Sequence, residues 1–157
     1  MRQIYLYTDG SCLKNPGVGG WACILKDPLT GEMKEYCGYE AQTSNNRMEL
    51  TAVIRGLQAL RESCVVTVTT DSLYVINPVK KRWVYRWQAR NWMLDRFRLA
   101  KNSDLWSELL PLVDYHKVQW EWVKGHNGHV ENERCDYLAH RTATGGGKHM
   151  PDLKEIR

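Results

Sequence analysis

The strongest constraint on this chain is a change in its hydrophobic period. Residues 2–9 alternate, with Ile4, Leu6 and Thr8 against Tyr5, Tyr7 and Asp9, which predicts a strand ending at Asp9. WACILKD and EMKEYCGYE follow, parted by the turn signals Pro28 and Gly31, and extend this start into an antiparallel meander. From Asn46 the period becomes helical. Leu50, Val53, Leu57 and Leu60 recur at that spacing, with Asn46 and Glu49 at the N-cap and N3 positions of a capping box. Two further strand-like runs, VVTVTT ending before Asp71 and KVQWEWV at 117–123, each come after helical sequence. Strands reached through such crossovers are free to lie parallel to the first. DLWSELLPLVDY reads as a helix despite Pro111, as do the stretch around Pro78, the segment after it, and ENERCDYLAHRTA. The order βββ-α-β-α-α-α-β-α predicts an α/β protein with a mixed sheet and helices on its faces.

At 157 residues the chain suits one domain, able to bury roughly two thirds of its unfolded surface. The tail from 145 to 157 has a glycine run and little periodicity, which predicts a flexible end. The five cysteines are an odd number without a CxxC pair, so neither a disulfide framework nor a zinc site is expected. The N-terminus lacks the apolar core of a signal peptide, and no apolar run approaches the roughly 20 residues of a membrane span. A cytoplasmic protein with reduced thiols is the expectation. Net charge is +4, but residues 80–98 hold seven Lys/Arg and one acid, which leaves the remainder at −2. A mildly acidic body with one basic, Trp-rich segment fits attraction to a polyanion, although a solvated helical face with core tryptophans would read the same way.

Asp9 and Asp71 stand at the carboxyl ends of strands predicted to be parallel and adjacent, the edge where open α/β sheets bind ligands. Asp is also common in the turn after a strand. Two at adjacent strand ends are harder to dismiss. Glu49 lies one turn into the first helix, where a capping role is equally adequate. Asp136 lies in the last helix between Cys135 and Leu138, and is open to a reading as a surface acid. Ahead of it, WVKGHNGHVENE forms a Gly-rich loop whose His126 and His129 suit proton movement better than metal ligation, since no nearby pattern completes a zinc set. Four carboxylates gathered together would repel one another unless divalent cations neutralised them. Mg²⁺ takes hard oxygen ligands. A pair of ions about 3.5–4 Å apart suits phosphodiester hydrolysis.

YTDGSC at 7–12 with NPG at 15–17, NNRMEL at 45–50, TDS at 70–72, and WVKGH with GHVENERCD between 122 and 136 closely resemble bacterial type 1 ribonuclease H, in the family's order over roughly residues 2–144. The resemblance implies a ribonuclease H-like fold, with a five-stranded mixed sheet and helices on both faces, over residues 1–144. It implies a monomeric endonuclease that cuts the RNA strand of RNA–DNA hybrids and leaves 5′-phosphate and 3′-hydroxyl ends. Asp9, Glu49, Asp71 and Asp136 would be the catalytic carboxylates, holding two Mg²⁺ ions with substrate, Mn²⁺ being able to substitute. His126 would be the loop histidine that assists proton transfer or product release. Cys12, Asn15, Ser44, Asn45, Asn46 and Ser72 match substrate-contacting positions, most of them lining the hybrid's minor groove, where 2′-hydroxyls distinguish RNA from DNA. Lys80 to Arg98 correspond to a basic protrusion that holds the DNA strand through Lys80, Lys81, Arg82, Trp83, Arg86, Trp87 and Arg90.

Some positions depart from the family's usual pattern. Lys14 stands where glycine is frequent, and Leu73, which cannot hydrogen-bond, where a substrate-touching glutamine is common. The protrusion is one residue longer before Trp83, and Gln88 and Ala89 replace frequent lysines, for which Lys80, Lys81 and Arg82 are placed to compensate. A silent hybrid-binding module is opposed by retention of all four carboxylates and His126. Another nuclease or resolvase of the same fold is opposed by the basic Trp-rich segment and the Asn/Ser set. The start at Met1, immediately before the first strand, favours a free-standing protein over a reverse-transcriptase domain.

Overall fold

The computed structural model describes residues 1–125 and 128–146. Its elements follow the predicted order: β1 (Gln3–Cys12), β2 (Gly17–Lys26), β3 (Met33–Thr43), α1 (Asn45–Gln58), β4 (Val65–Thr70), α2 (Leu73–Lys80), α3 (Trp83–Ala89), α4 (Ser103–Tyr115), β5 (Lys117–Trp122) and α5 (Val130–Thr144). They build one five-stranded mixed sheet in the order β3-β2-β1-β4-β5. β1, β2 and β3 pair antiparallel, while β4 lies parallel to β1 and β5 parallel to β4. Each parallel neighbour is reached through helices, as the crossover argument requires.

β2 shows why its sequence reads as an unbroken apolar run rather than an alternation. Its Cys23 and Leu25 join the core made with α1 and α4, where Ile4, Leu6, Val66 and Val68 meet Leu50, Val53, Leu57 and Trp106. Its Ala22 and Ile24 turn the other way, onto Cys135, Leu138 and Ala139 of α5. A strand covered on both faces has no polar side to alternate. All five cysteines are free thiols, four of them buried. No helix among the described residues is long and apolar enough to cross a membrane.

Two expectations are corrected. β1 runs on to Cys12 instead of ending at Asp9, because Gly10, Ser11 and Cys12 pair with Trp21, Gly20 and Gly19 of β2. The N-cap of α1 is Ser44, not Asn46: Ser44 has extended backbone angles (φ −137°, ψ 164°), and its side chain accepts the Arg47 N–H. That geometry is what an N-cap needs, and Asn46 already lies inside the helix.

α5 sits close against the sheet because β2 offers it glycine. A Cβ on Gly20 would collide with the Ala139 carbonyl oxygen and stand 2.9 Å from the Ala143 nitrogen. Backbone cannot swing aside as a flexible side chain can. Gly20→Ala should therefore lift α5 and destabilise the protein by about 1–3 kcal/mol, read as a drop in thermal midpoint of several degrees. An unchanged melting curve would show that the helix can shift freely.

Candidate active site

The parallel pairing of β1 with β4 ends at Tyr7 opposite Thr69, and Asp9 and Asp71 each lie two residues beyond that pair. They emerge side by side at the carboxyl edge of adjacent strands. Gly10 brings the third carboxylate to them. A Cβ there would stand 2.5 Å from the Glu49 nitrogen and 2.6 Å from the Met48 carbonyl carbon, so only glycine lets β1 touch the first turns of α1. Carboxylate oxygens of Asp9, Glu49 and Asp71 consequently lie within 4.8 Å of one another. Glu49 is not a capping residue but is buried at 8% exposure. On the other face, α5 is seated on β1 by the Cys135 thiol, which donates to the Tyr7 carbonyl at 3.4 Å. The next residue, Asp136, lines the same cleft of about 350 Å³, together with Ser11, Cys12, Asn45, Asn46 and Ser72.

Burial and mutual repulsion govern the electrostatics. Desolvation pushes the Asp9 carboxyl well above the ordinary carboxylate range, and the charge of Asp71 raises it further; hydrogen bonding with Glu49 lowers it in part, while Asp136 raises it. Glu49 is pushed up by burial first, then by the charges of Asp9 and Asp71. Glu49 Oε1 is buried without a hydrogen-bond partner among the described residues. Oxygen-only donors, repelling charges and an orphaned acceptor at an open cleft fit a hard divalent cation. A larger cleft of about 640 Å³ lies at the opposite edge of the sheet, near Arg2, Leu25, Asp27 and Cys64. Its Asp27 is already paired with Arg2 at 3.0 Å, so size does not mark the chemistry here.

Asp71 is held by contacts that sequence reasoning missed. The Trp122 indole N–H donates to the Asp71 carbonyl at 3.1 Å. The Val123 N–H donates to the Thr70 carbonyl at 3.0 Å, and Thr70 Oγ1 accepts the Ser72 N–H at 3.0 Å. Gly125 lies so near that a Cβ on it would stand 2.7 Å from Asp71 Oδ2. The WVKGH motif was visible, but nothing in its spacing indicates which carboxylate its tryptophan and glycine serve.

The remaining sequence-predicted residues divide by position. Ser44 and Ser72 each cap a helix, accepting the Arg47 and Val75 N–H groups at 3.3 Å. Asn15 Oδ1 accepts the Asn45 N–H at 3.2 Å, and the Cys12 thiol donates to the Lys14 carbonyl at 2.9 Å, which tightens the turn beside the cleft. Leu73 is exposed on α2, close after Asp71. Lys80, Lys81, Arg82, Arg86 and Arg90 are all exposed on and around α3. The two tryptophans differ. Trp87 packs edge-on against buried Trp106 with ring centroids 6.4 Å apart, whereas Trp83 carries the Lys81 ammonium 5.4 Å from its ring centre. His126 lies outside the described residues.

The raised Asp9 value has a sign for stability. The unfolded chain ionises this group first, so the carboxylate subtracts stability above the ordinary carboxylate range, about pH 4, and nothing below it. Asp9→Asn in EDTA at neutral pH should melt higher than the parent, by roughly 2–4 °C per kcal/mol of repulsion removed. Mg²⁺ should then raise the parent's midpoint more than the variant's. A variant that melts lower under both conditions would show that Asp9 is a structural hydrogen-bond partner.

Comparison with known proteins agrees with this geometry. The family model "RNase H" matches residues 1–144. A ribonuclease H from Oleidesulfovibrio alaskensis is 50% identical over 147 residues, 94% of each chain. Among solved structures, LC9-RNase H1, described as a type 1 RNase H with the type 2 active-site motif, superposes with a TM-score of 0.81 at 33% identity, covering 99% of this chain and 80% of that one. LC11-RNase H1 in complex with RNA/DNA hybrid shares the fold with a TM-score of 0.67 at 18% identity, covering 91% of this chain and 98% of that one. With these carboxylates gathered at one edge of the five-stranded sheet, the chain belongs to the RNase H family.

Proposed function

We propose that this protein hydrolyses the RNA strand of RNA–DNA hybrids, leaving 5′-phosphate and 3′-hydroxyl ends, as a cytoplasmic monomer. The observation that carries the reading is the trio of carboxylates within 4.8 Å at the mouth of an open cleft. The naming of the 50% identical relative as a ribonuclease H, and the hybrid bound in the LC11 structure, support it. Asp9, Glu49, Asp71 and Asp136 would hold two Mg²⁺ ions with substrate, Mn²⁺ being able to substitute. Cations held there supply water activation on one side of the phosphodiester and charge neutralisation on the other.

The chain's own residues do the rest. Trp122 and Gly125 fix Asp71, and Gly10 seats Glu49, so the carboxylates do not have to be gathered when substrate arrives. Asn45 and Asn46 are exposed at the cleft and offer amides to the 2′-hydroxyls of a minor groove. His126 is assigned proton transfer or product release through the resemblance of its motif. The exposed cations around α3 would hold the DNA strand, with Trp83 as the ring available to it and Trp87 as its support in the core.

The test is strand-labelled hybrid, duplex DNA and duplex RNA, each with Mg²⁺ and with EDTA. Only the RNA of the hybrid should be cut, and only with the metal. Asp71→Asn should abolish cleavage while keeping hybrid affinity within about a few-fold, because shape is kept and a metal-binding charge is lost. Cleavage that persists in EDTA would remove the metal from the mechanism. Binding without cleavage by the parent would leave a hybrid-binding module.

Salt dependence tests the basic surface separately. Each phosphate contact makes log affinity fall more steeply with log salt, by roughly 0.7–0.9. Replacing Lys80, Lys81, Arg82 and Arg86 together with Gln should weaken hybrid binding and flatten that slope by up to about four such increments. Turnover at saturating substrate should survive. An unaltered slope would return these charges to a merely solvated face.

A further inference from the structure

After α3 the chain forms a small hairpin-like loop closed by the bridge between Met93 and Leu99. Its base is anchored: the Trp92 N–H donates to the Trp87 carbonyl at 2.6 Å, and the Ala100 N–H to the Trp92 carbonyl at 2.7 Å. Trp92 packs against the main core. Its tip is ordered by a single carboxylate. Asp95 Oδ1 accepts the N–H groups of Phe97 and Arg98 at 2.9 and 3.0 Å, and Oδ2 accepts Arg98 Nε at 2.6 Å. The chain's one phenylalanine, Phe97, therefore stands on a defined turn at 87% exposure.

An ordered turn that holds an aromatic ring in water gains nothing from that ring in the folded monomer. Its surroundings indicate the missing partner. Asp95 is the one acid in residues 80–98, and Arg98 already pairs with it. Arg96, its neighbour in the chain, is exposed, and the loop follows directly in sequence on the exposed cations from Lys80 to Arg90. A flat, exposed apolar ring in a segment of net charge +6 suits a polyanion with planar groups. Bases inside a duplex are stacked on one another and closed to such a ring; an unpaired base has a free π-face.

We propose that Phe97 is a stacking platform for an unpaired nucleotide where a hybrid runs out into single-stranded DNA, with Arg96 holding the adjoining phosphate. The inference rests on the hybrid-cleaving function proposed above. It gives the protein a preference for hybrids flanked by single-stranded DNA over blunt ones.

The experiment measures affinity in EDTA, at fixed salt, for a blunt hybrid and for the same hybrid carrying a short single-stranded DNA extension at either end of its DNA strand. Abasic extensions of equal length serve as the control, since they keep the phosphates and remove the bases. The parent should bind one base-bearing extension more tightly than its abasic counterpart, by about 5- to 100-fold. Phe97→Ala should lose that difference while cutting blunt hybrid with Mg²⁺ as the parent does, and Phe97→Trp should restore it. Equal affinity of the parent for base-bearing and abasic extensions overturns the proposal, as does an undiminished difference in Phe97→Ala. A dimer in the parent that becomes monomeric in Phe97→Ala, with no change in extension binding, also overturns it and makes the ring a contact between copies. Failure of the parent to cut blunt hybrid with Mg²⁺ would instead defeat the underlying function, a result the binding arms do not share.

Discussion

Repulsion among buried carboxylates is the constraint around which this molecule is arranged. Left to themselves, the like charges of Asp9, Glu49 and Asp71 would move apart. They cannot, because each belongs to an element held elsewhere. β1 and β4 are locked by ladder pairing, α1 by its packing over Leu6 and by the close approach at Gly10, and α5 by its contact with β2 at Gly20. The energy of the hydrophobic cores on both sides of the sheet is what keeps like charges together. Such an edge is less stable without its counter-ions than with them, a bias towards metal that is built into the backbone.

Most of the fold was legible because its signals are periodic. The helical spacing of α1, the β-branched run of β4 and the alternation of β5 each specify an element, and the crossovers specify parallel neighbours. Boundaries were less legible. β1 extends past Asp9 because glycines on both strands, Gly10 facing Trp21 and Gly19 facing Cys12, allow pairing that their own propensity does not advertise. Ser44 took the cap from Asn46 because either residue type suits that role and only backbone angles decide.

The site divides in the same way. Strand-end position identified Asp9 and Asp71 as candidates without any fold in hand, while Glu49 and Asp136 had adequate ordinary readings until topology brought both to the cleft. Glycine close approaches and the indole bond to Asp71 are long-range facts, invisible in local sequence. The tryptophans of the basic segment show the limit plainly. Trp83 and Trp87 share a spacing and a charged neighbourhood, yet one meets Trp106 and the other meets Lys81. Periodicity places both on one helical face but cannot say where that face rolls under the core.

Asn102 joins parts of the protein that the sequence keeps apart. It has a left-handed backbone (φ 60°) at the start of α4, yet its side chain does not cap that helix. Its Oδ1 accepts from Arg47 at 3.1 Å, and its Nδ2 donates to the Tyr74 hydroxyl at 2.8 Å, while Asp104 takes the rest of the Arg47 guanidinium at 2.7 and 3.0 Å. Arg47 stands two residues before Glu49, and Asn102 follows directly from the loop that presents Phe97. The span from that loop to the carboxylate edge is thus braced across α1, α2 and α4 rather than hinged. A braced span acts as a ruler: under the function proposed above, duplex held at the loop would meet the carboxylates at one set distance, and the shortest duplex that could be held and cut together would be a dimension of the fold.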